Sequence, residues 1–208
     1  MISRFYPYST DSNERDTLAY VFAVIAVALA YLLYKIVEAF HFQMPWWMSL
    51  PTPMPIYLFL RGLFSNCIWR WGLLRRFGIV KIPYLGGQYH GHLWTSHDDH
   101  EESYKCDFTI TQTWTKIIIR GQFPQSHSFN GVTGISVLDT DVPRLVYEYW
   151  NEPASAAIGS MHAHRGTIWF DIRSKDSKVH LDGEYYTGRG RATSGRIEIV
   201  RKRHELTS

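Results

Sequence analysis

The residue pattern of this chain changes near Tyr84, and the change divides the sequence into two parts. The 17 residues from Leu18 to Tyr34 (LAYVFAVIAVALAYLLY) contain no charged side chain. From Gly87 to Arg201 the chain consists of short alternating segments rich in Tyr, Trp, Ile and Val, separated by Gly and polar turns. The first pattern is typical of a membrane helix and the second of a β domain. We therefore predict a membrane region at residues 1–83 and a β domain at residues 84–208.

The uncharged run predicts a transmembrane helix at residues 17–40. With Ile36, Val37, Ala39 and Phe40 it approaches the roughly 20 residues that span a bilayer. The run is apolar on all sides, which favours a membrane span over the buried helix of a soluble protein. Acidic residues precede it and no small-residue cleavage site follows, so a signal peptide is not favoured.

The next segment allows two interpretations. Residues 41–55 contain four prolines and the pair Trp46 and Trp47, which is typical of a turn at the membrane surface. Met54 to Leu74 is then apolar but contains Arg61. It is either a second spanning helix, at about residues 54–77, with Arg61 at a helix–helix contact, or an amphipathic helix in the interface. Length and apolarity favour the spanning helix, and Arg61 is our candidate for a membrane or oligomer contact.

The distribution of charge predicts the orientation and excludes one class of partner. Residues 1–81 carry 8 Lys/Arg against 4 Asp/Glu, whereas residues 82–208 carry 14 against 15. The positive excess belongs to the membrane part, so we expect no DNA or RNA partner. Arg70, Arg75, Arg76 and Lys81 follow the apolar segment, and such clusters mark the cytoplasmic side of a span. We predict a lipid bilayer as partner, the bacterial inner membrane as location, and a cytoplasmic β domain.

The β half contains eight strand candidates joined by short polar connections. Short connections favour antiparallel neighbours, and one apolar face per strand suits an all-β, eight-stranded antiparallel up-and-down barrel, although a two-sheet sandwich also fits. The predicted strands are Gln88–Ser96, Ser103–Thr113, Lys116–Phe123, Ser128–Leu138, Arg144–Asn151, Gly166–Ile172, Lys178–Thr187 and Gly195–Arg201.

Alternation also selects candidate ligand-binding residues. Tyr89, Tyr147, Tyr149 and Tyr185 fall on the inward face, where their hydroxyls either find local partners or line a polar-tipped cavity. Three arginines are candidates for phosphate contacts, because guanidinium groups pair well with phosphate. Arg189 and Arg191 lie in the last hairpin, which is either a solvated turn or a clamp at the barrel mouth, and Arg120 is outward and the weakest choice.

No recognisable catalytic motif is present. The sequence lacks GxSxG, a Walker A loop, HExxH and paired cysteines with zinc spacing, so we predict no enzyme activity, no metal and no cofactor. The run from His97 to Glu102 (HDDHEE) has the composition of a metal site, but it falls where a solvated hairpin loop is required.

The chain resembles the two-transmembrane β-strand-rich effectors of bacterial CBASS antiphage operons, which are CD-NTase-associated proteins. The local matches are GGQYHGHLW (Gly86 to Trp94), with its G-x-Y-x-G pattern, and LDGEYYTGRGRATSGRIEIVR (Leu181 to Arg201), with G-x-Y-Y-T and G-x-I-x-I-x-R. In that family the β domain is a lipocalin-like barrel. The resemblance supplies no residue-level ligand motif, so the candidate residues above come from position and chemistry.

The resemblance implies a mechanism. A cyclic dinucleotide made by a partner nucleotidyltransferase would occupy the cytoplasmic barrel, the protein would oligomerise with itself, and clustered membrane helices would disrupt the inner membrane in abortive infection. Small residues in the first helix (Ala23, Ala26, Ala28 and Ala30) would serve the helix contacts. Two alternatives remain open, a membrane-anchored lipocalin-like module for a lipid or other apolar ligand and a scaffold whose barrel is only an interaction surface.

Overall fold

The computed structural model describes residues 6–40, 52–138, 140–157, 162–176, 178–188 and 192–202. The chain forms two units. One contains residues 6–11 and the chain from Ile82 onward, and the other is Ser12–Lys81. The helical unit is therefore inserted between the first few described residues and the main β domain.

The β unit is a closed eight-stranded antiparallel barrel. Each strand pairs with the next one along the chain, and the last strand, Ser194–Arg201, pairs with the first, Gly87–Thr95. This order is up-and-down, which confirms the predicted barrel and excludes the sandwich. The barrel strands are β3 (Gly87–Thr95), β4 (Tyr104–Gln112), β5 (Lys116–Gln122), β6 (Ser126–Ser136), β7 (Arg144–Pro153), β8 (His164–Lys175), β9 (Lys178–Thr187) and β10 (Ser194–Arg201).

Two short N-terminal strands fill a gap in the barrel wall. β5 and β6 pair only from Arg120 to Gln122. Beyond that point β1 (Tyr6–Pro7) pairs with β5, and β2 (Ser9–Thr10) runs parallel to β6. These residues, which the sequence analysis assigned to the membrane region, therefore lie in the β unit. We call residues 6–11 the strap.

Among its described residues, the helical unit contains one helix long and apolar enough to cross a membrane. α1 (Glu14–Ala39) has 26 residues with a mean hydropathy of 2.2 over its most apolar window. It starts earlier than predicted, because Glu14 and Asp16 suit the positive N-terminal end of a helix. Ala26 and Ala30 are buried within this unit, whereas Ala23 and Ala28 are exposed.

The predicted second helix at about residues 54–77 is not continuous. α2 (Pro53–Asn66) ends after 14 residues, a 3-10 turn covers Ile68–Arg70, and α3 (Gly72–Arg76) follows. The Asn66 amide nitrogen donates to the Gly62 carbonyl oxygen at 2.9 Å, the kind of local bond by which Asn competes with helix continuation.

α2 spans about 21 Å, less than the roughly 30 Å of a bilayer core. Phe64 of α2 packs against Phe22 of α1 with ring centroids 5.1 Å apart. A second spanning helix is not established, and the predicted turn at Pro45, Trp46 and Trp47 lies outside the described residues.

Candidate ligand-binding site

A cavity of about 450 Å³ occupies one end of the barrel. It lies where β3, β5, β7 and β9 end and where β4, β6, β8 and β10 begin. Tyr147, Tyr149 and Tyr185 line it, so three of the four inward tyrosines selected from the sequence meet in one space. The barrel interior is open at this end. A filled barrel core would have favoured the scaffold alternative, and this end of the barrel is not filled.

Two glycines on neighbouring strands make room for two of these tyrosines. Gly166 is the register partner of Tyr149, and a Cβ at Gly166 would lie 2.4 Å from the Tyr149 hydroxyl oxygen. Gly195 is the register partner of Tyr185, and a Cβ there would lie 2.6 Å from the Tyr185 ring. The missing side chains let the tyrosine rings lie across the neighbouring strand. Tyr185 belongs to the G-x-Y-Y-T segment and Gly195 to the G-x-I-x-I segment, so these two segments form this part of the cavity wall.

Part of the polar lining has no partner within the described chain. Tyr147 is 2% exposed, and its hydroxyl makes no hydrogen bond to any described residue. The same holds for the hydroxyls of Ser126 and Ser128, which are buried on the inward face of β6. These three hydroxyl oxygens are not among the fully buried unpartnered atoms of the described residues, so they open onto the cavity and offer donors and acceptors to a polar occupant.

The described lining contains no Lys, Arg, Asp or Glu, and its titratable residues are tyrosines and two histidines, His97 and His164. Burial raises the pKa of Tyr147 well above its ordinary value, with Tyr149 and Cys106 adding to the effect. Burial, assisted by Asp107, raises the pKa of Cys106 to about 12. Both groups are therefore neutral at physiological pH.

The opposite end of the barrel is closed by hydrogen bonds. The Tyr89 hydroxyl donates to the Leu85 carbonyl oxygen at 2.8 Å and accepts from Arg201 Nε at 3.1 Å. Arg201 Nη2 also donates to the Tyr84 carbonyl oxygen at 2.5 Å. Tyr89 thus holds the closed end and does not line the cavity. Burial raises the pKa of Tyr89, although Arg201 opposes the shift.

The other predicted site residues have different outcomes. Arg120 is exposed on the outside of β5 and is not brought to the cavity, because the alternation that points Ile119 inward points it outward. Arg189 and Arg191 lie outside the described residues, although Thr187 and Thr193 on either side of them line the cavity. Arg61 is exposed on α2.

The HDDHEE run folds as a hairpin connection. A 3-10 turn covers Ser96–Asp98, and Asp99 and His100 then adopt left-handed backbone conformations. Within the described residues, no group of three His, Cys, Asp or Glu side chains is placed to hold a metal ion. His97 of this connection lines the cavity rim.

Sequence reasoning missed several lining residues. Ser126 and Ser128 were not singled out, although both alternate with His127 and share the inward face of β6. Asn151 and His164 also line the cavity. The available signal was the run of small polar residues at inward positions of β6, which a filled apolar core would not contain.

The fold and the cavity define a class of protein. An up-and-down barrel of eight strands that leaves an aromatic and hydroxyl-rich cavity at one end is a small-molecule binding barrel. In this chain it is joined to a helix of membrane type.

Comparison with known proteins identifies the family. Residues 80–201 match the family described as Cap15, cyclic dinucleotide receptor domain, and the chain belongs to this family. It is 29% identical over 159 residues to CD-NTase-associated protein 15 of Yersinia aleksiciae, which covers 75% of this chain and 72% of that relative. The predicted resemblance is confirmed, and the chain is a CBASS effector whose barrel senses a cyclic dinucleotide. The family is one of receptor domains and not of enzymes.

Proposed function

We propose that the cyclic dinucleotide binds in the cavity between Tyr147, Tyr149 and Tyr185, and that binding drives self-association and disruption of the inner membrane. The observation that carries the proposal is the cavity itself, which lies inside the domain that matches a cyclic dinucleotide receptor and is lined by the hydroxyls of Tyr147, Ser126 and Ser128, which have no partner within the described chain. Its volume falls in the range of roughly 300–1,000 Å³ that small-molecule sites occupy. Arg189 and Arg191 are the candidates for the two phosphates, because in the sequence they lie between Thr187 and Thr193, which both line the cavity.

Chain connectivity supports a membrane hairpin. Residue 11 and Ile82 both belong to the barrel unit, so both ends of the helical unit are tied to the same folded domain. If α1 crosses the membrane, the chain must cross back before Ile82. The Lys81 backbone N–H donates to the Glu14 carboxylate at 2.6 Å, which brings the two ends of the helical unit together. We propose that the segment after α1 makes this return, with the barrel in the cytoplasm.

Arg61 has a proposed role in the active assembly. It is exposed on α2 while Phe64, one turn later, faces α1. A charge in this position is retained only where it meets water, headgroups or a polar partner. A helix of a neighbouring copy would supply such a partner once the barrels associate.

The test uses the full chain in detergent and then in vesicles. Isothermal titration with a panel of cyclic dinucleotides should give binding of at least one member at a stoichiometry of about one per chain. Sedimentation should then show association only with that member, and vesicles carrying the protein should leak dye on its addition. Arg61→Leu should bind normally and cause less leakage. Absence of binding by every member would reject the proposal, and binding without leakage would reject its membrane step alone.

A further inference from the structure

Along β6, the inward-facing polar side chains are hydrogen-bonded at Asn130 and have no described partner nearer the cavity. Asn130 of β6 is fully engaged, since its Oδ1 accepts from the Ile119 backbone N–H at 2.7 Å and its Nδ2 donates to Thr133 Oγ1 at 2.9 Å. Two and four residues away on the same inward face, the Ser128 and Ser126 hydroxyls have no partner within the described chain. The transition falls where the strand enters the cavity. The absence of partners is thus confined to the surface that a ligand would touch.

These serines face groups of matching chemistry on β7. Ser128 is the register partner of Asn151, and Tyr147 lies further inward along the same strand face. Ser126, Ser128 and Tyr147 form what we call the neutral wall. A hydroxyl can both donate and accept a hydrogen bond. The wall can therefore match an occupant that presents donors and acceptors close together.

Charge decides which part of a cyclic dinucleotide enters. Each phosphate carries a negative charge, and a buried charge is costly unless it is paired. No Lys or Arg lines the cavity among the described residues. The bases are neutral, flat and edged with donors and acceptors, and the aromatic rings of Tyr149, Tyr185 and Phe123 offer faces for stacking.

We propose that the neutral wall reads the edge of one nucleobase, which enters the barrel while the phosphates stay at the mouth. This inference rests on the proposed function. It adds that the nucleobase, and not the phosphates, determines which ligand the receptor prefers. A site that hydrogen-bonds a particular edge rejects a ligand with a different edge, because its own buried groups are then left unpaired. The wall is thus the specificity-determining element.

A distinctive consequence is that removing these hydroxyls should leave the empty protein as stable as before and weaken the complex. The Tyr147 and Ser128 hydroxyls open onto the cavity and have no partner within the described chain, so Tyr147→Phe and Ser128→Ala remove no hydrogen bond within the described protein and little packing. We expect both variants to unfold at a temperature equal to or above that of the wild type. A residue with a merely structural role would show the reverse.

The experiment titrates the full chain in detergent with cyclic dinucleotides that share the ribose–phosphate ring and differ only in their bases: cyclic di-AMP, cyclic di-GMP, cyclic GMP–AMP, cyclic UMP–AMP and cyclic di-UMP. Tyr147→Phe and Ser128→Ala should each weaken the preferred member by about tenfold and change the others by less than about threefold. Tyr186→Phe and Ser103→Ala, both exposed, are the matched controls and should retain the wild-type preference.

The outcomes separate this inference from the proposed function. If the wild type binds no member, the proposed function fails and the base-reading wall fails with it. If the wild type binds but the variants weaken all members equally, or none, recognition is through the sugar–phosphate ring and only the inference is overturned. Loss of thermal stability in both variants would also overturn it, since the hydroxyls would then have structural partners.

Discussion

The two ends of the barrel differ in whether their buried polar residues are hydrogen-bonded within the described chain. At the closed end Gln112, which is 1% exposed, accepts from the Leu85 backbone N–H at 2.7 Å and donates to the Pro83 carbonyl oxygen at 3.3 Å. At the cavity end Tyr147 and Ser128 are almost as buried and have no such bonds within the described chain. Hydrogen-bonded groups rigidify a core, whereas hydroxyls that open onto a cavity without a protein partner remain able to bond to a ligand.

The difference follows the connections of the chain. Residues 82–86 enter β3 at the closed end, β10 ends there, and the strap meets the start of β5 there. All chain segments that lead to the helical unit therefore leave the barrel at its hydrogen-bonded end. The cavity lies at the other end, where only short hairpin connections join the strands. A ligand can thus be bound without breaking the hydrogen bonds of the closed end.

The largest effect should come from the closed end. Gln112→Leu leaves the Leu85 N–H and the Pro83 carbonyl without their partner, and we expect the free energy of unfolding to fall by about 2–4 kcal/mol. Gln122→Leu is the matched control, since Gln122 is exposed at the end of β5 and should change stability by less than about 0.5 kcal/mol. Denaturant unfolding of the full chain in detergent, followed by tryptophan fluorescence, measures both. Equal effects would show that the closed end is not held by this network.

The sequence predicted the barrel because alternation reports which face of a strand is inward. It could not report depth along the barrel axis, and this is why Tyr89 and Tyr185 were grouped together. Tyr89 lies near the start of β3 and Tyr185 near the end of β9, so the register places them at opposite ends. Arg120 was correctly assigned outward and for that reason does not reach the cavity.

The strap and the break after α2 could not be predicted from periodicity. Two strands of two residues each are too short to show alternation, and they are recognisable only because the gap between β5 and β6 exists to receive them. The break at Cys67 directly follows Asn66, whose side chain bonds to the Gly62 carbonyl oxygen, and an average hydropathy over the surrounding apolar segment does not reveal this local contact. Both features are decided by tertiary or local side-chain contacts.

The next effect in size should come from the strap. The Asp11 carboxylate accepts from Ser136 Oγ at 2.6 Å and from the backbone N–H groups of Val137 and Leu138 at 2.8 Å each. Asp11→Ala should lower the free energy of unfolding by about 1–3 kcal/mol, because charge-assisted bonds are lost and the gap loses its covering. Asp107→Ala is the control, as its ion pair with Lys202 is exposed and is worth roughly 0–1 kcal/mol. An Asp11 variant no weaker than the control would mean that the strap is not needed for closure.

The smallest effect compares one tyrosine from each end as pH rises. The folded pKa values of Tyr147 and Tyr89 are both raised above the ordinary value, chiefly by burial. A raised folded pKa means that the folded state keeps its proton while the unfolded state loses it, so stability is intact below about pH 10 and falls as pH rises toward the folded pKa. Tyr147, whose pKa is raised well above its ordinary value, should account for the larger part of this loss, and Tyr89, whose shift Arg201 opposes, for the smaller part. Tyr147→Phe and Tyr89→Phe should both flatten this decline, with Ser128→Ala, which has no titrating group, as the control.

At pH 7 the two variants should differ, since Tyr89→Phe loses its bonds to Leu85 and Arg201 and is destabilised, whereas Tyr147→Phe is not. Parallel behaviour of the two variants at pH 7 would erase the distinction between the ends of the barrel.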